Sequence, residues 1–247
     1  MEYLSWAPHY DRIRQQFGFS LETERASADR LLELLPDSAP ADPLVELGPI
    51  VRGRDAIVVG LAPRWGAPPI WVLPHQAKAP VVLAADGAAA PCLEAGIVPA
   101  IVVTDLDGPV PAEVNANAQG SYVVLHAHGD NREAIERWVP EFRGRVAGSW
   151  AGKPEPRLLD VGGFTDGDRA AYLASELGAE RILLWGFDFV DVGDEPPDLR
   201  ARKTAKLRWA RRLLDALDAG GGRRLHWWNR DGSIVGYDAG ISGASTQ

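Results

Sequence analysis

The chain has 247 residues, 46% of them apolar, with 26 lysines and arginines against 34 acids and a net charge of −8. That is enough apolar chain to bury a core without staples, and the acidity excludes a nucleic-acid binder, which needs a basic face. A nucleotide that arrives with its metal is not excluded.

Cys92 is the only cysteine, so neither an intrachain disulfide nor a cysteine-based zinc site can form. Acidic Glu2 and an amphipathic start do not read as a signal peptide. Apolar runs such as Ala79–Ala85 fall far short of the roughly 18 residues of a membrane span. A cytoplasmic protein with no membrane or nucleic-acid partner is expected, and a homo-oligomer is left open.

In chain order, Trp6, Tyr10, Ile13 and Phe17 recur at helical spacing. Ser20, followed by Glu22 and Glu24, opens a second helix to Leu35. The tract Pro36–Pro43 breaks it, so residues 1–45 read as a helical appendage and 46–247 as an α/β domain. Apolar, β-branched runs then predict strands over Asp55–Gly60, Ile70–Leu73, Val81–Ala85, Ala100–Val103, Tyr122–Leu125, Leu158–Val161, Ile182–Trp185 and Arg224–Trp228. Amphipathic stretches predict helices over Ala88–Ala95, Arg132–Val139, Asp168–Leu177 and Lys203–Leu217. Strands apolar on both faces, alternating with helices, imply a mostly parallel sheet with helices on both faces.

Polar residues gather where these strands end, which is where ligands bind in open α/β sheets. Asp105 and Asp107 leave an extended chain on one face. They would repel unless a hard cation such as Mg²⁺ took both; an Asp-capped turn is the plainer alternative. Asp86-Gly87-Ala88 opens a helix of small residues that lets an anion approach backbone N–H groups, or Asp86 merely caps it.

In His126-Ala127-His128-Gly129-Asp130-Asn131, His126 reads as a core histidine, and His128 with Asp130 as groups to orient or deprotonate a hydroxyl. A metallo-β-lactamase-like metal run is set aside, because Asn131 stands where that motif has histidine. In Gly162–Arg169, Gly163 allows close approach, Thr165 or Asp166 caps a helix, and one of Asp166 and Asp168 faces a ligand. Lys203 and Lys206 lie on one face near a helix start, where cations oppose the macrodipole. They are candidates for phosphate, or else part of a solvated basic face. Phe164 is a candidate stacking ring. Neither a Walker-type loop nor a Gly-x-Gly-x-x-Gly fingerprint occurs.

Taken in order, Trp6…Tyr10…Ile13…Phe17-Gly18-Phe19, Ala85–Ala88, Val103–Gly108, His126–Asn131, Gly162–Ala170, Gly186-Phe187-Asp188-Phe189 and Lys203…Lys206-Leu207 resemble the archaeal 6-hydroxymethyl-7,8-dihydropterin pyrophosphokinases, the MptE-like family. The resemblance implies transfer of diphosphate from ATP to the hydroxyl of 6-hydroxymethyl-7,8-dihydropterin, with Mg²⁺ as cofactor and AMP as by-product, in tetrahydromethanopterin or folate biosynthesis. It makes 46–247 the catalytic domain. The Asp-Gly-Ala and Asp-x-Asp strand ends also resemble thiamine pyrophosphokinases, which implies that family's fold and leaves thiamine as an alternative substrate.

One departure is Gly60-Leu61-Ala62-Pro63-Arg64, where the family has a Gly-x-Gly-Pro-Ser type loop. It keeps a non-catalytic nucleotide-binding regulator open. The expected site has Asp105 and Asp107 on the metal, Lys203 and Lys206 on phosphates, and His128 or Asp130 at the hydroxyl. Asn131 or Asp166 reads the pterin edge, Phe164 stacks on it, and Asp86, Gly87, Gly163, Thr165 and Asp168 complete the ligand-binding loops.

Overall fold

A computed structural model of the chain describes residues 3–62, 65–69, 78–194, 196–220 and 224–238. Among these, nine strands form one sheet in the order β6-β5-β4-β3-β2-β1-β7-β8-β9. They are β1 (Ala56–Val59), β2 (Val81–Ala85), β3 (Ile101–Thr104), β4 (Tyr122–Ala127), β5 (Val146–Trp150), β6 (Leu158–Leu159), β7 (Ile182–Trp185), β8 (Leu225–Trp228) and β9 (Ile234–Gly236). Every pairing is parallel except that of β8 with β9. The strand expected over Ile70–Leu73 lies outside the described residues.

Successive strand residues point to opposite faces, and two cores result. Val58, Leu83 and Val103 pack under α1 (Tyr3–Phe17), α3 (Pro43–Val51), α7 (Asp166–Glu176) and α8 (Pro197–Gly220). Ile57, Val82 and Val102 pack under α2 (Leu21–Leu34), α4 (Ala89–Glu94), α5 (Val110–Ala118) and α6 (Arg132–Trp138). The protein is therefore α/β, with a mostly parallel sheet covered on both sides. No helix among the described residues is long and apolar enough to cross a membrane.

The first 45 residues are not set apart from the rest. Trp6, Tyr10 and Ile13 are buried in one core, and Ala28, Leu31 and Leu35 in the other. Trp6 Nε1 donates to Asp160 Oδ2 at 2.7 Å, and Arg157 Nη2 donates to the carbonyls of Leu35 and Pro36. The proline tract read as a breaker also starts α3: Asp42 caps it by accepting from Leu44 N at 3.0 Å, and Pro43 takes the first turn. α5 starts the same way, with Pro109 at its N-cap and Pro111 in its first turn. β5 and β9 were also not anticipated. Gly148 interrupts β5, where a Cβ would lie 2.4 Å from Leu158 Cδ2.

Strand order reverses between β1 and β7, so a crevice opens at the carboxyl ends beside them. Gly60 and Gly186 make its floor. A Cβ on Gly186 would lie 2.5 Å from the Gly60 carbonyl oxygen, and one on Gly60 would lie 2.7 Å from that of Gly186. The two loops meet only because both residues lack side chains.

Candidate active site

At this crevice the structure forms a cleft of about 600 Å³, within the roughly 300–1,000 Å³ of small-molecule sites. Five loops and α8 contribute. Gly60–Ala62 follows β1, Asp86 and Gly87 follow β2, Asp105 and Asp107 follow β3, Phe164 and Thr165 lead into α7 with Asp166 and Gly167 in its first turn, and Gly186–Asp188 follow β7. Arg202, Lys203 and Lys206 of α8 close it.

The parallel register of β2 and β3 sets Ala85 beside Val103, which brings Asp86 next to the Asp105 loop across 19 positions of sequence. One oxygen from each of Asp86, Asp105 and Asp107 lies within 4.8 Å of the others. The local backbone is strained to achieve this. Asp86 and Leu106 sit at φ of +44° and +68°, a region that L-residues rarely occupy outside functional sites. Thr104 Oγ1 steadies the turn by donating to Asp86 Oδ1 at 3.1 Å and accepting from Leu106 N at 2.9 Å.

The electrostatics are those of an acid cluster short of positive charge. Burial, then the charges of Asp105 and Asp86, push Asp107 up to about 7. Burial also works against ionised Asp105, but the charge of His128 beside it, together with that of Lys206, outweighs it and holds Asp105 below the usual range. Asp166 is pushed well above it by burial and then by Asp105 and Asp86. Three hard oxygen donors converging on one point, with repulsion unrelieved, fit a divalent cation such as Mg²⁺.

Several expected residues take supporting roles instead. His128 and Asp130 do not line the cleft. His128 Nε2 lies 3.2 Å from Asp105 Oδ2, close enough for an ion pair though not aligned as a hydrogen bond, and its Nδ1 lies 2.5 Å from Asp130 Oδ1. Burial alone would lower the imidazole, but the two carboxylates push it up to about 9. Its bond to His128 drives Asp130 down to about 2. At neutral pH His128 already carries its proton, and Asp130 is too weak a base and outside the cleft, so neither suits the expected part of proton acceptor; they anchor Asp105. His126 is buried against Ser149 Oγ at 2.9 Å, as a core histidine.

Asn131, expected at a ligand edge, has its amide occupied. Nδ2 donates to the carbonyls of Asp105 at 2.8 Å and His126 at 2.7 Å, and Oδ1 accepts from His128 N at 3.0 Å. Asp168 likewise faces the protein. It accepts from Phe164 N at 2.7 Å, Thr165 N at 2.8 Å and the Thr165 hydroxyl, as one arm of a capping box. Gly163 serves packing, since a Cβ there would lie 2.5 Å from Arg169 Cα. Thr165, Asp166, Phe164, Asp86, Gly87, Lys203 and Lys206 do line the cleft. In the departing loop, Ala62 N donates to the Gly186 carbonyl at 2.9 Å, so its N–H serves the floor; Pro63 and Arg64 lie outside the described residues.

Sequence reasoning missed Glu113. It is wholly buried on α5 beside Asp86, and neither oxygen reaches hydrogen-bond geometry. Burial first, then Asp86, pushes it up to about 9, so it is neutral at pH 7. With α5 unrecognised, nothing in the sequence pointed to it. Arg202 also lines the cleft, beside the two expected lysines.

Fold and site together define an open α/β protein with a cation-fitting carboxylate cluster and two lysines in a switch-point cleft. The sequence model of the family described as 6-hydroxymethylpterin diphosphokinase MptE-like matches residues 30–194. The chain is 36% identical over 238 residues to the 6-hydroxymethyl-7,8-dihydropterin pyrophosphokinase of Methanothermobacter thermautotrophicus, covering 92% of this chain and 100% of that one. Identity is 36% over 233 residues to the protein of the same name from Pyrococcus furiosus, covering 91% and 98%. It is 33% over 241 residues to that of Methanocaldococcus jannaschii, covering 88% and 96%. The chain belongs to the MptE-like family.

Proposed function

We propose that the protein transfers the diphosphate group of ATP to the hydroxymethyl group of 6-hydroxymethyl-7,8-dihydropterin in the cytoplasm, releasing AMP. The observation that carries this reading is the meeting of Asp86, Asp105 and Asp107 with Lys203 and Lys206 in one cleft, in a chain matched along nearly its whole length by relatives bearing that name.

The acceptor oxygen bonds to the β-phosphorus of ATP. The bond from that phosphorus to the α–β bridging oxygen breaks, AMP leaves with the electron pair, and the hydroxyl proton passes to solvent. Such transfers need positioning and charge neutralisation more than covalent help. Asp86, Asp105 and Asp107 would hold Mg²⁺, which when bound neutralises charge on the phosphates. Lys203 and Lys206 steady the same phosphates from above. His128, fixed by Asp130, keeps Asp105 ionised and in place.

Phe164 offers a face to the acceptor ring, and Asp166, two residues on, takes the paired N–H groups of its aminopyrimidinone edge. Charge at the three aspartates being neutralised, part of the repulsion that, after burial, raises Asp166 disappears. The fold is read as akin to the catalytic domain of thiamine pyrophosphokinases.

Parallel assays of AMP release from ATP and Mg²⁺, with either the reduced pterin or thiamine as acceptor, test the reading. AMP with the pterin alone is expected. AMP only with thiamine would move the protein to that substrate, and nucleotide binding without AMP from either would make it a regulator.

A further inference from the structure

The turn between α1 and α2, Phe17-Gly18-Phe19, does not line the cleft, yet it backs a ring that does. Gly18 adopts φ +71° with open space around it, so the turn needs glycine for conformation and not for room. The chain reverses there and sets both phenyl rings on one side. Phe17 and Phe19 stack at 5.6 Å with planes 13° apart. Phe164 lies against both, at 5.3 Å and 6.3 Å between centroids. The Arg202 guanidinium of α8 sits 5.7 Å and 5.8 Å from the same two rings. The Phe164 backbone is pinned on both sides, its N–H given to Asp168 at 2.7 Å and its carbonyl taking Arg169 Nη2 at 3.2 Å.

An aromatic face fixed at its backbone and at its rear is the support a flat heteroaromatic ligand needs. Reach decides which ligand. Phe164 and Asp166 line the same cleft as the clustered Asp86, Asp105 and Asp107, so a ring on Phe164 lies beside the acid cluster. In the acceptor one carbon separates ring from reacting oxygen, whereas in ATP the ribose and α-phosphate intervene between adenine and the β-phosphorus.

We propose that Phe17 and Phe19 are positioning residues for the acceptor ring. They hold Phe164 at a fixed angle to the cleft, with Arg202 tying the block to α8, so the N-terminal helix pair sets acceptor affinity without touching the phosphates. This rests on the reading that the acceptor is a reduced pterin.

The test is steady-state kinetics of the full chain carrying Phe17→Leu, Phe19→Leu, both together, and Phe19→Tyr, each with a thermal melt. The double variant is expected to raise KM for the pterin about tenfold, the loss of a stacking support, with kcat and KM for ATP within about twofold of wild type. Phe19→Tyr should keep the wild-type value. An unchanged pterin KM, or an equal rise in KM for ATP, overturns the inference. If the double variant fails to fold, the single variants decide by the same split. A wild-type protein that releases no AMP with the pterin would instead remove the parent reading, and this assignment with it.

Discussion

Gly108 closes the turn after Asp107, and a methyl group there would lie 2.1 Å from Asp86 Oδ2 and 2.7 Å from its Cγ. Its φ is not among those in the left-handed region, so Gly108→Ala imposes no backbone strain, and its effect falls on the carboxylate. To regain an ordinary contact of about 3.5 Å the Asp86 oxygen must move by about 1.4 Å, and its bond from Thr104 Oγ1 is disturbed. A ligand misplaced by that much costs about 10²-fold in turnover. The carboxylate sits at the edge of the cleft and can swing, so the folding cost should stay near 1 kcal/mol, a fall in Tm of a few degrees. The assay is AMP release from ATP against Mg²⁺ concentration, with a thermal melt of the same preparation. Wild-type turnover with an unchanged Mg²⁺ dependence would refute the assignment of Asp86 to the metal.

Asp107→Asn should lower kcat about 10³-fold, the several kcal/mol that a cation supplies to phosphoryl transfer, with far-UV circular dichroism unchanged. In the metal-free protein Asp107 titrates near 7, so protons compete with the cation. Mg²⁺ affinity should weaken up to tenfold per pH unit below about 7, read by calorimetry; a flat profile from pH 5 to 8 would count against it. Glu113 rises from its ordinary 4.5 to about 9 on folding. Because the folded state holds the proton more tightly, stability is full below about 4.5 and is lost as pH rises toward 9. Metal-free Glu113→Gln should therefore gain on wild type as pH rises, by about 3 kcal/mol between pH 4.5 and 7, in urea unfolding at several pH values; a pH-independent difference would place an unseen partner beside Glu113. Asn131→Ala breaks three hydrogen bonds, one buried and two part-buried, and should cost about 2–4 kcal/mol of stability together with most activity, since the Asp105 carbonyl and the His128 N–H both lose their tie; wild-type turnover would show that these ties do not position Asp105.

The strand ends were legible because the strands beneath them are apolar on both faces and end abruptly in Gly or Asp. Val81–Ala85 and Ile182–Trp185 match β2 and β7 residue for residue. Two of the three clustered aspartates were readable as a pair because they are two apart; that Asp86 joins them follows from the β2–β3 register. Helices α3 and α5 were lost because proline reads as a breaker while it also favours a first turn, and Glu113 was lost with α5. The supporting roles of Asn131, His128 and Asp168 were not legible because their partners are fixed only on folding: Asn131 meets the Asp105 carbonyl from 26 residues away, and His128 is held between two other loop residues. The integration of the N-terminal helices depends on Trp6 reaching Asp160, 154 residues on.

The most direct measurement is mass spectrometry of the products formed with Mg²⁺, the reduced pterin and ATP carrying heavy oxygen only in its γ-phosphoryl group. Unlabelled AMP and a pterin diphosphate labelled in its terminal phosphate are expected. ADP with a labelled pterin monophosphate, or unreacted pterin in the presence of bound ATP, would contradict the proposed transfer.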